Sequence, residues 1–489
     1  MKYEIIIGLE VHAQLLTRSK MFCSCSAEYS SAAPNTHVCP VCLGMPGVLP
    51  TINQKAVEYT VMTALALNCG IAEYAKFDRK NYPYPDLMKG YQISQYDAPM
   101  GQHGWLDIEF DGIKKRIGIT RVHLEEDVAK LTHVTSPAGE SYSLMDVNRA
   151  GVPLMEIVGD PDLSSPEEAR QYLIKLRSIL RYLEVSTGNM EEGSFRCDAN
   201  ISIRPFGSTE YFPKVEIKNM NSFKAVQRAL AYEAKRQEQV MEKGGKLPQE
   251  TRGWVDEKGI TVSQRSKEYA HDYRYFPEPD LPPLVFQKNW VDELRSNLPE
   301  LPDTKHQRFV NQYALSKYDT DLLLDSKALA AYFEECVNIC ACRPDSDIQA
   351  KAKTISNWLA GDFNRLINST SIGIEDVKAT PAHLVELIDL VDNGTISGPA
   401  AKAILEEMFR TGKSAKEIVS EKGLEQISDT SEIEKIIDQT ISNNSQAVAD
   451  FQFGKQQALT FLVGQVMKAS KGRANPGLVN KIFLKKLGG

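Results

Sequence analysis

Residues 193–205, GSFRCDANISIRP, alternate strictly between polar and apolar side chains over eleven residues. Successive side chains of a β-strand point to opposite faces of a sheet, so this segment would present one apolar and one polar face. The apolar face would consist of Phe195, Cys197, Ala199, Ile201 and Ile203. The polar face would consist of Ser194, Arg196, Asp198, Asn200, Ser202 and Arg204. This pattern is typical of an antiparallel sheet that packs on one side only.

The same period of two recurs through roughly the first 290 residues, in short segments bounded by Gly, Pro or Asn. The clearest are EIIIGLEVHAQ at 4–14, TRVHLEEDVAK at 120–130 and PKVEIKNMNSF at 213–223. Apolar residues recur at intervals of three and four over about 53–68, 165–183 and 221–243, which predicts helices there. We therefore expect an α+β fold built on an antiparallel sheet.

The composition of the chain changes twice, which predicts two domain boundaries. From about residue 293, Gly and Pro become rarer and the segments have the pattern of amphipathic helices. From about residue 405 the helical pattern becomes acidic. We predict a sheet-based domain at 1–292, an all-α helical domain at 293–405 and a small α-helical tail domain at 406–489.

The end of the predicted tail is strongly basic. The last 39 residues, after Asp450, contain seven Lys or Arg and no Asp or Glu. They include a basic loop, KASKGRANPG at 468–477, and a helical apolar stripe formed by Leu459, Leu462, Val463, Val466 and Met467. A solvated surface explains such charges in many proteins, but a phosphate backbone is a natural partner for them.

The 489-residue chain has a net charge of -7. Its residues are 42% hydrophobic and 25% charged, which is typical of a globular protein with a buried core. This charge excludes a protein coated in basic residues, although a local basic patch is sufficient for phosphate contacts. The N-terminal segment becomes polar too early for a signal peptide, and no apolar run approaches the ~20 residues of a membrane helix. We therefore expect a cytoplasmic protein with no membrane partner.

Two close pairs of cysteines lie in FCSCSAEYSSAAPNTHVCPVCL, residues 22–43. The pairs are separated by thirteen residues and consist of Cys23, Cys25, Cys39 and Cys42. In a reducing compartment this spacing predicts a structural zinc site with four thiolates, which would hold the loop in place and not catalyse a reaction. Two alternatives stay open: four reduced thiols in a turn-rich subdomain, or a site in which His37 replaces one thiolate.

Several polar residues have no obvious role in folding. Glu10 and His12 lie two apart in a predicted strand and would project from one face, and Glu125 lies on a comparable face. Carboxylates beside an imidazole form a candidate divalent-metal site, although a half-exposed strand explains the same residues equally well. The segment DRKNYPYPDLMKGYQISQYDAPM, 78–100, adds basic and aromatic groups that could stack on or pair with a nucleotide.

Common catalytic motifs are missing from the sequence. RTGKS, 410–414, is not a phosphate-binding loop, because Glu407 stands where its first glycine is needed. The sequence also lacks a GxSxG elbow. If ATP binds, it binds through another architecture.

The segment MDVNRAGVPLMEI, 145–157, belongs to a set of motifs with a recognisable order. The others are GLEVHAQL, KNYPYPDLMKGYQISQY, EEGSFRCDANIS, VEIKNMNSF and DYRYFPEPDLPP. Together they resemble the motifs of the B-subunit family of the glutamyl/aspartyl-tRNA amidotransferase (the GatB/GatE family of the GatCAB enzyme), over essentially the whole chain.

This resemblance implies a cradle domain at 1–292 that binds ATP, Mg²⁺ and the acceptor end of a misacylated tRNA, followed by a helical domain and a tail that contacts the tRNA. The implied activity is that of a ligase: phosphorylation of the side-chain carboxylate of Glu-tRNA(Gln) or Asp-tRNA(Asn), then amidation by ammonia. The implied partners are a glutaminase A subunit, which supplies the ammonia, and a C subunit.

The resemblance also implies roles for particular residues. The magnesium ligands would be Glu10, His12 and Glu125. From residue type, Lys89 and Arg149 are the cations we expect near phosphates. Binding of the nucleotide or the tRNA end is expected from Lys80, Tyr82, Tyr91, Glu191, Ser194 and Arg196. The four cysteines match the zinc-binding version of the family.

Two other functions are weighed against this one. A non-catalytic tRNA-binding scaffold would suit the basic tail and the zinc loop, but it would gain nothing from acidic residues on the same surface. A free-standing glutaminase would need a nucleophile with a base, and the sequence offers no convincing candidate.

Overall fold

The computed structural model describes residues 3–208, 210, 212–266, 273–343, 347–370, 372–424, 430–453, 455–470, 474 and 476–487. The chain divides into two compact units, Met1–Pro302 and Asp303–Gly489. Residues 471–473 and 475 of the predicted basic loop at 468–477 lie outside the described residues.

The first unit combines strands with a few helices. Its strands are β1 (Tyr3–Gln14), β2 (Gly70–Ile71), β3 (Tyr74–Ala75), β4 (Asp78–Asn81), β5 (Tyr91–Ser94), β6 (Gly101–Phe110), β7 (Ile113–Glu126), β8 (Lys130–Thr135), β9 (Ser141–Asp146), β10 (Pro153–Gly159), β11 (Phe195–Pro205), β12 (Val215–Lys218), β13 (Glu250–Val255), β14 (Ile260–Ser266), β15 (Phe276–Pro277) and β16 (Leu284–Val285). Its helices are α1 (Gln54–Ala66), α2 (Pro166–Tyr182), α3 (Phe223–Glu242) and α4 (Lys288–Ser296).

Nine strands form the central sheet in the order β14-β13-β12-β11-β1-β10-β7-β6-β2. Neighbouring strands are antiparallel except β12 and β13, which are parallel. The α+β class and the antiparallel sheet predicted from the alternating segments are therefore confirmed.

The apolar face of the sheet packs against helices. The five apolar residues predicted for β11 are all buried, and α1, α2 and α3 lie where helical periodicity predicted them. Helix α3 packs on β11, α2 packs on β6, and α1 packs on β6 and β7. Each begins at a side-chain cap, from Asn53, Ser165 and Ser222 in turn. These helices lie on the apolar face, opposite the polar face of β1, β7, β10 and β11.

Smaller sheets lie beside this polar face. The strands β15, β4 and β5 form a three-stranded sheet that carries the polar segment 78–100, and β5 contacts β7 of the central sheet. The strands β8 and β9 form a hairpin, and β16 pairs with β3.

The described part of the second unit is helical. Its helices are α5 (Pro302–Tyr313), α6 (Lys317–Leu323), α7 (Lys327–Ala341), α8 (Ile348–Trp358), α9 (Asn364–Thr370), α10 (Pro381–Asp392), α11 (Gly398–Thr411), α12 (Ala415–Lys422), α13 (Thr430–Asn443), α14 (Ser445–Gln452), α15 (Gln456–Ala469) and α16 (Pro476–Leu487). A π-helical turn at Leu359–Phe363 joins α8 to α9, and a 3₁₀ turn spans Ile374–Asp376.

The composition change predicted near residue 405 falls inside α11, so it does not coincide with a helix end. An apolar cluster of residues between 433 and 483 includes the stripe predicted in the tail, with Leu462 and Val466 fully buried. The three domain ranges stay predictions. Among the described helices, not one combines the length and the apolar composition that crossing a membrane requires.

Glu233 on α3 is a fully buried carboxylate that joins this helix to the edge of the central sheet. It accepts hydrogen bonds from Arg236 at 2.6 Å, from Gln237 at 3.0 Å and from the Thr261 hydroxyl of β14 at 2.8 Å. Arg252 Nε of β13 lies 3.5 Å from it. Buried charge of this kind stabilises a fold only while its partners are complete.

Replacing Glu233 with alanine should lower the free energy of unfolding by about 3 kcal/mol, because it breaks a buried ion pair. This value is the lower end of the range for such a change, since Glu250 remains as a second partner of Arg236 and Arg252. Urea denaturation followed by circular dichroism would measure the loss. Glu242→Ala, at an exposed position of the same helix, should change this free energy by less than about 0.5 kcal/mol. An equal loss in both variants would contradict the proposed importance of the network.

Candidate active site and metal centre

A row of polar side chains crosses the centre of the sheet on its polar face. Arg196 on β11 lies opposite His12 on β1. His12 in turn lies opposite Glu156 on β10, which lies opposite His123 on β7. Directly opposed residues of antiparallel strands have Cβ atoms about 4.5–5.5 Å apart, so the register alone brings these groups together. Glu125, two residues after His123, projects from the same face of β7.

Two carboxylates and two imidazoles meet in this row. His12 Nε2 lies 3.6 Å from a Glu156 oxygen and 3.8 Å from a Glu125 oxygen. His123 Nε2 lies 3.2 Å from Glu156 and 4.0 Å from Glu125. The hydroxyl of Ser94 donates a hydrogen bond of 3.0 Å to Glu125. Glu125, Glu156 and His123 are buried, so water screens the charges in this group only weakly.

The charges of these residues depend on one another. Burial lowers the pKa of His12, but its interaction with Glu156 and the charge of Glu125 outweigh burial and raise the pKa to about 9. Burial raises the pKa of Glu156, whereas the charges of His123 and His12 hold it well below its usual range. Glu156 is therefore ionised at neutral pH, and His12 is cationic unless another cation takes its place.

This group fits a divalent cation. One donor atom from each of His12, Glu125 and Glu156 lies within 4.8 Å of the other two. The separations of 3.6 and 3.8 Å exceed the roughly 3.0 Å between adjacent donors around an octahedral ion with bonds of about 2.1 Å, so the donors would move slightly closer together when they bind the ion. The two carboxylates suit Mg²⁺ or Mn²⁺, while imidazole is the donor that transition metals prefer.

Glu10, which the sequence grouped with His12 and Glu125, lies outside this set of three. Its Oε1 accepts a hydrogen bond from Asn200 Nδ2 at 2.9 Å. Glu156 joins the set instead, and His123 faces it. The sequence shows His123 only as a polar position of a predicted strand and Glu156 only as a member of the motif at 145–157, because nothing local indicates which strand lies next to β1.

Lys89 and Tyr91 lie beside Glu126. Lys89 Nζ is 2.6 Å from a Glu126 oxygen and 5.7 Å from the centroid of the Tyr91 ring. Burial raises the pKa of Tyr91 to about 12. A cavity of about 40 Å³ is lined by Lys89 and Glu126 together with Cys23 and Cys42. Lys89 is thus placed between the cysteine loop and the end of β7.

Arg196 and Arg149 both approach the buried carboxylate of Asp127. Arg196 Nη2 lies 2.5 Å and Arg149 Nε lies 3.8 Å from its oxygens. Burial raises the pKa of Asp127, but the two guanidinium groups outweigh burial and lower it. Arg149 also donates to the backbone carbonyls of residues 128 and 129, both at 2.9 Å. Arg149 therefore holds the loop after β7, whereas Arg196 keeps 37% of its side chain exposed.

Lys80 lies among aromatic rings near the metal residues. Its Nζ is 5.1 Å from the centroid of the Tyr273 ring and 5.9 Å from that of Tyr82, whose hydroxyl lies 3.4 Å from Gln92 Oε1. Burial lowers the pKa of Lys80, but the charges of nearby groups, Glu125 foremost, raise it above its ordinary value. Lys80 is therefore a cation on the carboxylate side of the sheet.

Glu191 and Ser194 lie in the turn before β11. The Glu191 side chain is exposed, and its backbone N–H donates to Asn189 Oδ1 at 3.0 Å. The Ser194 hydroxyl lies 2.6 Å from that of Thr187 and donates to the Asn189 carbonyl at 3.0 Å. Ser194 therefore shapes the turn through its own hydrogen bonds.

The four cysteines of the loop converge as their spacing predicted. All four are free thiols, and their sulfurs lie within 4.8 Å of one another. The sulfurs of Cys39 and Cys42 are 3.9 Å apart, close to the roughly 3.8 Å edge of a tetrahedron with zinc–sulfur bonds of about 2.3 Å. A hydrogen bond from Cys23 lowers the pKa of Cys42 to about 4, whereas burial raises the pKa of Cys25 to about 11. The donor set fits zinc, and it is complete without His37.

Comparison with known proteins gives matches over most of the chain. Residues 5–292 match the family model described as the GatB/GatE catalytic domain, and residues 332–487 match the model described as the GatB domain. A protein of Dehalococcoides mccartyi, named as the B subunit of aspartyl/glutamyl-tRNA(Asn/Gln) amidotransferase, is 58% identical, with 99% of each chain covered. Proteins of the same name from Thermoanaerobacter pseudethanolicus and Moorella thermoacetica are each 55% identical over 100% of both chains. The first family match includes all residues of the metal group and the cysteine loop.

The purified protein should contain about one zinc ion per chain, and Cys42→Ser should lose most of it, because a structural zinc site needs all four ligands. Inductively coupled plasma mass spectrometry would measure the metal. Cys342→Ser, which changes an exposed cysteine of the second unit, should keep its zinc. Full zinc content in Cys42→Ser would contradict the four-thiolate site.

Glu156→Gln should weaken Mn²⁺ binding by at least about tenfold, because it removes one of the two carboxylates of the metal group. Electron paramagnetic resonance titration of free Mn²⁺ would measure the affinity. Glu10→Gln is the matched variant on the same face and should have a smaller effect. A larger effect at Glu10 than at Glu156 would favour the ligand set expected from the sequence.

Proposed function

Because this chain belongs to the GatB/GatE family, we propose that it is the B subunit of a tRNA-dependent amidotransferase, a carbon–nitrogen ligase that uses ATP. Its substrates would be Glu-tRNA(Gln), Asp-tRNA(Asn) or both, as the shared name of the relatives states for those proteins. A glutaminase A subunit would supply ammonia, and a C subunit would complete the heterotrimer.

The proposed reaction converts a side-chain carboxylate into an amide in two steps. One carboxylate oxygen attacks the γ-phosphorus of ATP, the bond to the β–γ bridging oxygen breaks, and ADP leaves. Ammonia then attacks the carbonyl carbon of the acyl phosphate, inorganic phosphate leaves, and a proton is lost. Neither step needs a covalent protein nucleophile, so the protein must position the reactants and neutralise their charge.

The cluster of His12, Glu125 and Glu156 is the observation that supports this proposal most directly. When bound there, Mg²⁺ would neutralise the phosphate charge and orient the phosphoryl group. Neighbouring side chains orient both carboxylates: Ser94 donates a hydrogen bond to Glu125, and His123 faces Glu156. Both carboxylates are thus fixed in place before a substrate enters.

We assign different tasks to the nearby cations. Lys80, close to the carboxylates, and the partly exposed Arg196 are placed to meet the phosphates or the tRNA end. Lys89 and Arg149 are held by Glu126 and by backbone carbonyls, so their proposed role is to position the loops beside the site. Tyr82, Tyr91, Glu191 and Ser194 lie in segments that border the same face.

We also propose three domains along the chain: a cradle at 1–292, a helical domain at 293–405 and a tail at 406–489. The tail would bind the tRNA body. At its basic end, Lys468, Lys481 and Lys485 are exposed and offer positive charge to phosphates, whereas Lys455 pairs with Asp450 and Lys486 pairs with Asp438. A cytoplasmic location is part of the same proposal.

A scaffold without catalytic activity is the alternative function. It accounts for the basic tail and the zinc loop. It does not account for two buried carboxylates facing each other across two imidazoles, an arrangement that costs desolvation energy and is typical of functional sites. We therefore favour catalysis.

In the complete heterotrimer, Glu125→Gln should lower the rate of Gln-tRNA formation by about 10²–10³-fold, because it removes charge stabilisation from the phosphoryl-transfer step. The assay supplies ATP, Mg²⁺ and Glu-tRNA(Gln), with ammonium chloride in place of glutamine. Ammonium bypasses the glutaminase, so the measured loss belongs to this subunit.

Glu257→Gln, at an exposed turn of the same unit, is the matched control and should keep the wild-type rate. Full ammonium-dependent activity in Glu125→Gln would show that the buried Glu125 carboxylate is not needed for phosphoryl transfer. It would also favour the scaffold function.

A further inference from the structure

Four tyrosine rings form a continuous group beside the metal residues. The ring centroids of Tyr82 and Tyr273 are 5.8 Å apart, and those of Tyr273 and Tyr275 are 6.0 Å apart, both edge to face. Tyr275 and Tyr96 are stacked, with centroids 4.2 Å apart and planes inclined by 8°. These residues follow β4 and β5 or precede β15, so a single three-stranded sheet brings them together.

The outer member of the group is open to solvent. Tyr96 is 53% exposed, although a stacked pair within a core would bury both rings. Its backbone N–H donates to Asp78 Oδ2 at 3.1 Å, which fixes its position at the end of β5. The stacked pair therefore offers a fixed aromatic surface to a ligand.

The inner members of the group lie towards the metal residues. Lys80 lies over the Tyr273 ring, as described above. Burial raises the pKa of Tyr275 to about 12, and the charges of Glu125 and Glu156 contribute to this rise. The aromatic rings therefore lie next to the Lys80 cation and the carboxylates of Glu125 and Glu156. A nucleotide needs this arrangement, because its base stacks on aromatic rings and its phosphates bind a cation and a metal ion.

We propose that the stacked Tyr96–Tyr275 pair binds an adenine ring whose phosphates are directed towards Lys80. This inference rests on the proposed function and adds a base-binding subsite to it. Stacking on an aromatic side chain tolerates any base, and adenine is the one that both substrates present. It comes either from ATP or from the 3′-terminal adenosine of the tRNA.

The test uses the full heterotrimer with Tyr96→Leu, Tyr96→Phe and Tyr84→Leu. Tyr84 is 55% exposed in the same segment and serves as the matched control. Calorimetry measures the Kd of a non-hydrolysable ATP analogue with Mg²⁺. Filter binding compares intact tRNA(Gln) with tRNA(Gln) lacking its terminal adenosine. Tyr96→Ser supplies a second non-aromatic variant in case the leucine variant misfolds.

Tyr96→Leu should weaken the binding of either the ATP analogue or the intact tRNA about 5- to 150-fold. This is the loss expected from removing one stacking contact. Tyr96→Phe and Tyr84→Leu should stay within about twofold of the wild type, because the first keeps the ring and the second changes a different one. A loss confined to the ATP analogue identifies ATP as the source of the adenine. A lost preference for the intact tRNA end identifies the tRNA.

If Tyr96→Leu binds both the ATP analogue and the tRNA as the wild type does, in a complex that still makes Gln-tRNA, the adenine site is overturned. The proposed function is then unaffected. A wild-type complex that binds neither the analogue nor the tRNA overturns both.

Discussion

A shift of β1 by one residue against β10 and β11 would turn His12 towards the helices and bring apolar residues to the polar face. The observed register pairs His12 with both Glu156 and Arg196, so this strand decides whether the metal group forms. The opposite face of β1 maintains the register, because Ile7 and Val11 are fully buried. At roughly 25 cal/mol for each Å² of apolar surface removed from water, this burial holds the polar residues in place.

Three consecutive acids at the end of β7 show how the fold manages its charge. Glu125 accepts from Ser94, Glu126 pairs with Lys89, and Asp127 pairs with Arg196. The alternation of a strand sends Glu126 to the side opposite Glu125, which separates like charges that would otherwise repel one another. The negative charge that stays concentrated lies between Glu125 and Glu156, which is its diagonal neighbour on the adjacent strand β10. The cationic His12 offsets part of this charge, and a divalent cation is suited to neutralise it fully at the candidate site.

Local patterns predicted the parts of this structure that depend on neighbours in the chain. Alternation identified both faces of β11, and cysteine spacing identified the four converging sulfurs. Glu156 and His123 could not be grouped with His12, because their contacts depend on the order of strands more than 100 residues apart. Lys89 and Arg149 were expected at phosphates from their charge alone. Their partners, Glu126 and two backbone carbonyls, come from tertiary contacts that residue type does not reveal.

The central position of β1 also has a consequence for biosynthesis. Ile5 pairs with Ile203 and Val11 with Ile157, so both neighbours of this strand are translated long after it. At about 5–20 residues per second, roughly 10–40 s pass between the synthesis of β1 and that of β11. Until β10 emerges, about 40 residues before β11, the strand EIIIGLEVHA lacks both of its neighbours, and unpaired strand edges favour aggregation. The nascent chain should therefore depend on ribosome-associated chaperones until about 200 residues have emerged.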